Sequence, residues 1–226
     1  MATKKVFKVQ IPTDIVRDKE YTAGEFTLLA KLIQAYYIPK EKNLSLNIDH
    51  KALMFYLFIK DHDTFKKHLK ALFEKGAIKN EITKLPRKGP LVIELSEHII
   101  PQLNKKGHFT QMQSNVLSRD VIEAVGYVGV RLLYYYESYI NYKDIARRFC
   151  WVGEETTAND LGITEKTVIK YNKFLEKRKF IKIDKHKSEN GYNYNDQYVY
   201  FRYSNHYFIR HDKITEFCEK SSSLLA

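Results

Sequence analysis

Residues 158–177 read ANDLGITEKTVIKYNKFLEK, and the pattern predicts two helices joined by a tight turn. Ala158 is small, as the inside of a close helix–helix crossing requires, and Leu161 is placed to plug a core. Gly162 can take the positive φ that ends one helix and starts a sharp turn. Ile163 anchors that turn from beneath, and Thr164 offers its hydroxyl to the amides of the next helix. Val168 and Leu175 then bury the second helix, which leaves Glu165, Lys166, Thr167, Lys170 and Lys173 pointing outward. Asn172 falls where an apolar residue is expected. Either it makes a polar contact, or the helix is rotated so that Tyr171 is buried instead.

The chain has 226 residues, enough for one large domain or two small ones. With 44% hydrophobic and 29% charged residues it has the composition of a globular protein. No apolar run approaches the roughly 18 residues needed to span a bilayer. The opening MATKKVFKVQIP has lysines but no apolar core behind them, so neither a membrane nor a secretory signal is expected. Cys150 and Cys218 lie far apart without CxxC spacing. That argues against a disulfide framework or a zinc site and predicts a cytoplasmic, reducing location.

The net charge of +11 is concentrated. Residues 60–89 hold nine Lys/Arg against four Asp/Glu, a net of +5. Residues 164–187 hold nine against three, a net of +6, so the two blocks account for the whole excess. Two basic blocks in a neutral background predict two electrostatic footprints for a polyanion.

Both blocks sit in the same order of predicted elements. In the first half, residues 22–37 carry Phe26, Leu29, Ile33 and Tyr37 at helical spacing, with Pro39 as a stop signal. A short alternating LSLN follows, and Asp49 opens a second, mostly apolar helix (HKALMFYLFI). A third helix, TFKKHLKALFEKG, ends at Gly76. IKNEITK and LVIELS then form a hairpin with a basic tip at Arg87 and Lys88. In the second half a long helix is expected over residues 120–141, a short one over 154–161, and a third from Thr164 to about Arg178. FIKIDKH, the loop KSENGYNYND and QYVYFRYS make a longer hairpin, with Val199, Phe201 and Tyr203 as its apolar underside. The expected division is a first domain at 1–97, a linker at 98–118, a second domain at 119–213 and a frayed tail at 214–226.

Through A-x-x-L-G-I-T-x-x-T-V at positions 158–168, followed by FLEKRKFIKI, the chain resembles the winged helix-turn-helix DNA-binding superfamily. The resemblance is strongest in the second half; in the first it rests on element order. It implies a mainly α, α+β fold with two winged helix-turn-helix domains in tandem. Two such domains in a chain of this length resemble plasmid and phage replication initiators. There one domain commonly dimerises or contacts DNA backbone while the other reads a repeated origin sequence. Double-stranded DNA is then the expected partner, with a second copy of the chain and replisome proteins as further candidates. A transcriptional regulator and a protein-interaction module are the alternatives.

In such a complex a few side chains reach base edges while Lys and Arg fix orientation on phosphates. The expected groove residues are Glu165, Lys166, Thr167 and Lys170, beside Thr164 and Lys173. In the second hairpin Lys185, Lys187, Asn190, Tyr192, Asn193 and Tyr194 are placed to follow the backbone. The first-half counterparts are Thr64, Lys66, Lys67, Lys70, Arg87 and Lys88. YYYESYINY at residues 134–142 suits stacking on single-stranded bases less well than a packed core. Catalysis finds little support. There is no P-loop and no His-x-His pair. Asp61, His62 and Asp63 fit a helix cap better than a metal site. No cofactor is expected.

Overall fold

The computed structural model describes residues 7–104, 107–187, 191–192, 198–199 and 203–223. The first elements are β1 (Lys8–Pro12), α1 (Thr13–Arg17), α2 (Ala23–Tyr37), β2 (Ser45–Ile48), α3 (His50–Tyr56), α4 (His62–Glu74) and β3 (Leu91–Glu94). After them come β4 (Phe109–Gln113), α5 (Arg119–Glu137), α6 (Glu154–Leu161) and α7 (Glu165–Lys177). The chain continues through β5 (Ile181–Lys187), β6 (Gly191–Tyr192), β7 (Tyr198–Val199), β8 (Tyr203–Ile209) and α8 (His211–Ser223). Helix outweighs strand. The strands pair antiparallel as β1–β4, β2–β3, β5–β8 and β6–β7, so the fold is mixed α+β and mainly α.

Local chemistry sets the helix starts. Thr22 and Glu25 form a capping box on α2: the Glu25 amide donates to Thr22 Oγ1 at 3.3 Å, and the Thr22 amide donates to Glu25 Oε2 at 3.1 Å. Asp49 caps α3 by accepting from the Lys51 and Ala52 amides. Asp61 caps α4, its Oδ1 accepting from the Thr64 amide at 2.6 Å. Helix α3 stops at Tyr56 rather than continuing through Ile59, because Phe58 adopts a left-handed φ of 55°.

The first half runs α2, β2, α3, α4 and β3; the second runs α5, α6 and α7 into the β5–β8 pair, with no strand between α5 and α6 among the described residues. In the first half the hairpin departs from expectation. β3 pairs along its length with β2, and residues 78–84 contribute only a bridge between Ile78 and Leu95. Asn80 supplies the missing ladder with its side chain, donating to the Val92 carbonyl at 2.9 Å and accepting from the Glu94 amide at 2.8 Å. In the second half β5 pairs with β8 from Ile181↔Ile209 to Lys187↔Tyr203, and Cys150 bridges Tyr207. The return arm takes in Tyr198–Val199, which pair with β6, and runs on past QYVYFRYS to Ile209, with Tyr207 buried. Phe201 lies outside the described residues, as do the side chains of Val199 and Tyr203.

The described residues of the expected linker, 98–104 and 107–118, are built into the fold. β4 pairs with β1 from Lys8↔Gln113 to Pro12↔Phe109, and Val116 and Leu117 are buried. The tail expected from residue 214 begins inside α8, where Ile214 is buried and Phe217 packs edge-on against Phe180. The long helix α5 is shorter than expected, ending at Glu137, and Gly126 breaks it with φ 67°.

The core runs between α2 and α5, which pack together, with α4 against α2 and α7 against α5. Phe26 and Tyr134 meet edge-to-face at 5.4 Å. Fully burying each such ring contributes roughly 1.5–3 kcal/mol. Tyr134, Tyr135 and Tyr136 are all buried here. Arg131 is buried too, its guanidinium donating to the carbonyls of Asp18 (2.5 Å) and Tyr21. Burial lowers its pKa to about 10, and nearby Asp18 and Glu25 oppose that. The turn it clasps abuts Gly162, where an added Cβ would lie 3.2 Å from the Lys19 carbonyl.

Candidate nucleic-acid interface

The α6–α7 pair is fixed by its turn. Gly162 is left-handed at φ 62°, ψ 34°, and the Ile163 amide donates back to the Ala158 carbonyl at 3.0 Å. Ala158 and Leu161 are buried beneath it. Thr164 Oγ1 accepts from the Thr167 amide at 3.2 Å and lies 2.9 Å from the Thr167 hydroxyl. Two of the expected contact residues, Thr164 and Thr167, thus spend their hydroxyls on the cap.

Asn172 makes the polar contact. It is 2% exposed, accepts from the Tyr136 hydroxyl at 2.7 Å and donates to Glu154 Oε1 at 3.2 Å. One amide therefore joins α7 to α5 and α6, while Tyr136 stacks on Tyr207 of β8 at 4.4 Å. Tyr171 stays half-buried. Tyr135 ties the pair from the other side, donating to Asp160 Oδ2 at 2.6 Å.

With Val168, Asn172 and Leu175 facing inward, helical geometry sends Lys166, Lys170, Lys173 and Lys177 to the opposite face in one ridge. All four are exposed, and among the described residues no carboxylate lies within ion-pair distance of any of them. Lys177 was not anticipated. Nor were Ile169 and Phe174, which flank the ridge; the i, i+3, i+4 spacing from 166 to 177 carried that signal. Glu165 is exposed at the helix start. Lys185 stands across a cleft of about 280 Å³ from Lys173, with Ile169, Ile183 and Asn205 among its walls. Lys187 and Tyr192 have their backbones in β5 and β6. Their side chains, and Asn190, Asn193 and Tyr194 entirely, lie outside the described residues.

The first-half candidates are arranged differently. Lys66 pairs with Asp63 at 2.9 Å and Lys70 with Glu74 at 3.7 Å, which leaves Lys67, of these three on α4, without such a partner among the described residues. Thr64 is exposed beside the Asp61 cap. Arg87 lines a cavity of about 380 Å³ with Asp49, His50 and Lys51, and Lys88 is exposed next to it.

Comparison with protein-family models, curated proteins and solved structures finds no match. The chemistry of the surface must therefore speak for itself. A ridge of unneutralised lysines on a helix presented by a tight turn attracts a dense, extended negative charge. Among the described residues no cluster of His, Cys, Asp and Glu could hold a metal, and no helix is long and apolar enough to cross a membrane. Cys150 is buried, and burial pushes its thiol up to about 12, which makes it a poor nucleophile.

Proposed function

We propose that this protein binds double-stranded DNA sequence-specifically through two winged helix-turn-helix units in tandem, with α7 as the helix that enters the major groove. The observation that carries the reading is the unpaired ridge of Lys166, Lys170, Lys173 and Lys177 on the second helix of a tightly turned pair. A ridge facing water alone would lose little by acquiring (i, i+4) acids, which stabilise a helix by roughly 0.2–0.5 kcal/mol per pair. A ridge facing phosphates must stay without them. The pairing of Lys66 and Lys70 on α4 supports a lesser role for the first half, on backbone or on a second copy of the chain.

Within this reading the protein acts as a replication initiator of the plasmid or phage kind, binding repeated origin sites. Its work is binding, without catalysis. Selection of bound duplexes from a random pool tests both levels. An enriched motif in direct repeats is expected, whereas an inverted repeat would make the protein a transcriptional regulator. In the same assay Lys166→Ala with Lys170→Ala should lower the ratio of specific to random binding at least about tenfold. Arg87→Ala with Lys88→Ala should weaken binding to all duplexes alike. No enrichment, or equal losses in both variants, overturns the reading.

A further inference from the structure

The ridge on α7 is bordered by apolar side chains that the core does not need. Val168 and Leu175 already fill the inward face and are fully buried. Ile169 lies one helical step from Lys166 and Lys173, and Phe174 one step from Lys170 and Lys177. Together these six residues line a shallow cavity of about 460 Å³. Phe174 is 44% exposed and leans edge-on against Tyr171 at 5.8 Å, with the Lys170 ammonium 5.9 Å from its ring centre. Ile169 also borders the cleft between α7 and β5.

Ile169 carries no atom that can bond a phosphate or a base nitrogen. In the major groove the edges of adenine, guanine and cytosine present hydrogen-bonding groups to it, and only thymine presents a methyl. Burying a methyl against an exposed apolar side chain is favourable on both sides of the contact. The lysines around it fix the occupant's class, because four cations at helical spacing, none ion-paired among the described residues, match the phosphates and base-edge acceptors along one groove.

Resting on the DNA-reading proposal above, we infer that Ile169, with Phe174 on the other flank of the lysine ridge, is a specificity determinant that recognises thymine through its 5-methyl group. The bound site therefore holds thymine at one or two fixed positions under the middle of α7.

The test leaves the protein intact. Each thymine of the selected duplex is replaced in turn by deoxyuridine, which removes the methyl but keeps pairing and charge, and affinity is read by fluorescence anisotropy. At one or two positions affinity should fall about fourfold, the worth of one buried methyl. Ile169→Ala or Phe174→Ala should abolish that preference while still binding the deoxyuridine duplex. Equal affinity for thymine and deoxyuridine at every position overturns the inference alone, as does an unchanged ratio in both variants. Failure to bind any duplex overturns the DNA reading and this inference with it.

Discussion

Helices α4 and α7 hold the same place in the element order of their halves, yet their surfaces and their anchors differ. On α4 two of three exposed-face lysines are neutralised from within the helix, by Asp63 and Glu74. On α7 four stand in one ridge with no such neutralisation. The anchors differ in kind as well. α4 is tied to α2 by charge, since Lys75 at its end reaches Glu25 at 2.8 Å. α7 is tied to α5 and α6 by a neutral amide, Asn172, between Tyr136 and Glu154. Basic composition alone does not distinguish the two halves. What separates them is where the matching acids lie, and whether the anchor is an ion pair or an amide.

The larger of two stability effects is expected at the neutral anchor. Asn172→Leu keeps a similar volume but leaves the buried Tyr136 hydroxyl without its acceptor. Urea unfolding should show a loss of about 1–3 kcal/mol. An unchanged stability would break the view that this amide is what seats α7.

A smaller effect, about 1 kcal/mol, is expected from Glu25→Gln near neutral pH. Burial raises the Glu25 carboxyl, but the Lys75 ammonium and the Thr22 hydrogen bonds outweigh it and hold it below its usual value of 4.5. A carboxylate depressed in the fold stabilises it above the unfolded value, and that contribution fades as pH falls through the depressed value. The original chain and Glu25→Gln should therefore converge in acid. Thermal melts across pH 7 to 3 read this, and a gap for Glu25→Gln that does not close would contradict the charged-anchor assignment.

Much of this contrast was legible in the sequence. Gly162, Thr164, Val168 and Leu175 stand where local rules put them, because turns, caps and buried helix faces depend on neighbours a few residues away. The Asn172 ambiguity could not be resolved there, since its partners Tyr136 and Glu154 are 36 and 18 residues distant. The role of residues 98–118 was hidden for the same reason. β4 has polar residues and looks like a linker until β1, about 100 residues earlier, pairs with it. Asn80 replacing a strand ladder with its side chain leaves no periodic trace at all. Among the site residues, the ridge was read only in part. Its first three lysines were recognised from outward spacing, whereas Lys177 lay beyond the stretch taken to enter the groove, and Ile169 and Phe174 were given no role.

Duplex affinity measured against salt concentration tests the contrast most directly, because its slope counts the lysines that meet phosphates at about 0.9 per contact. Replacing Lys166, Lys170, Lys173 and Lys177 with Ala should flatten the slope by about 2, the share of Lys173 and Lys177, because Lys166 and Lys170 reach base edges. Replacing Lys66, Lys67 and Lys70 should flatten it by about 1, the share of Lys67 alone. Equal flattening in the two variants, or the larger change from α4, would contradict the account.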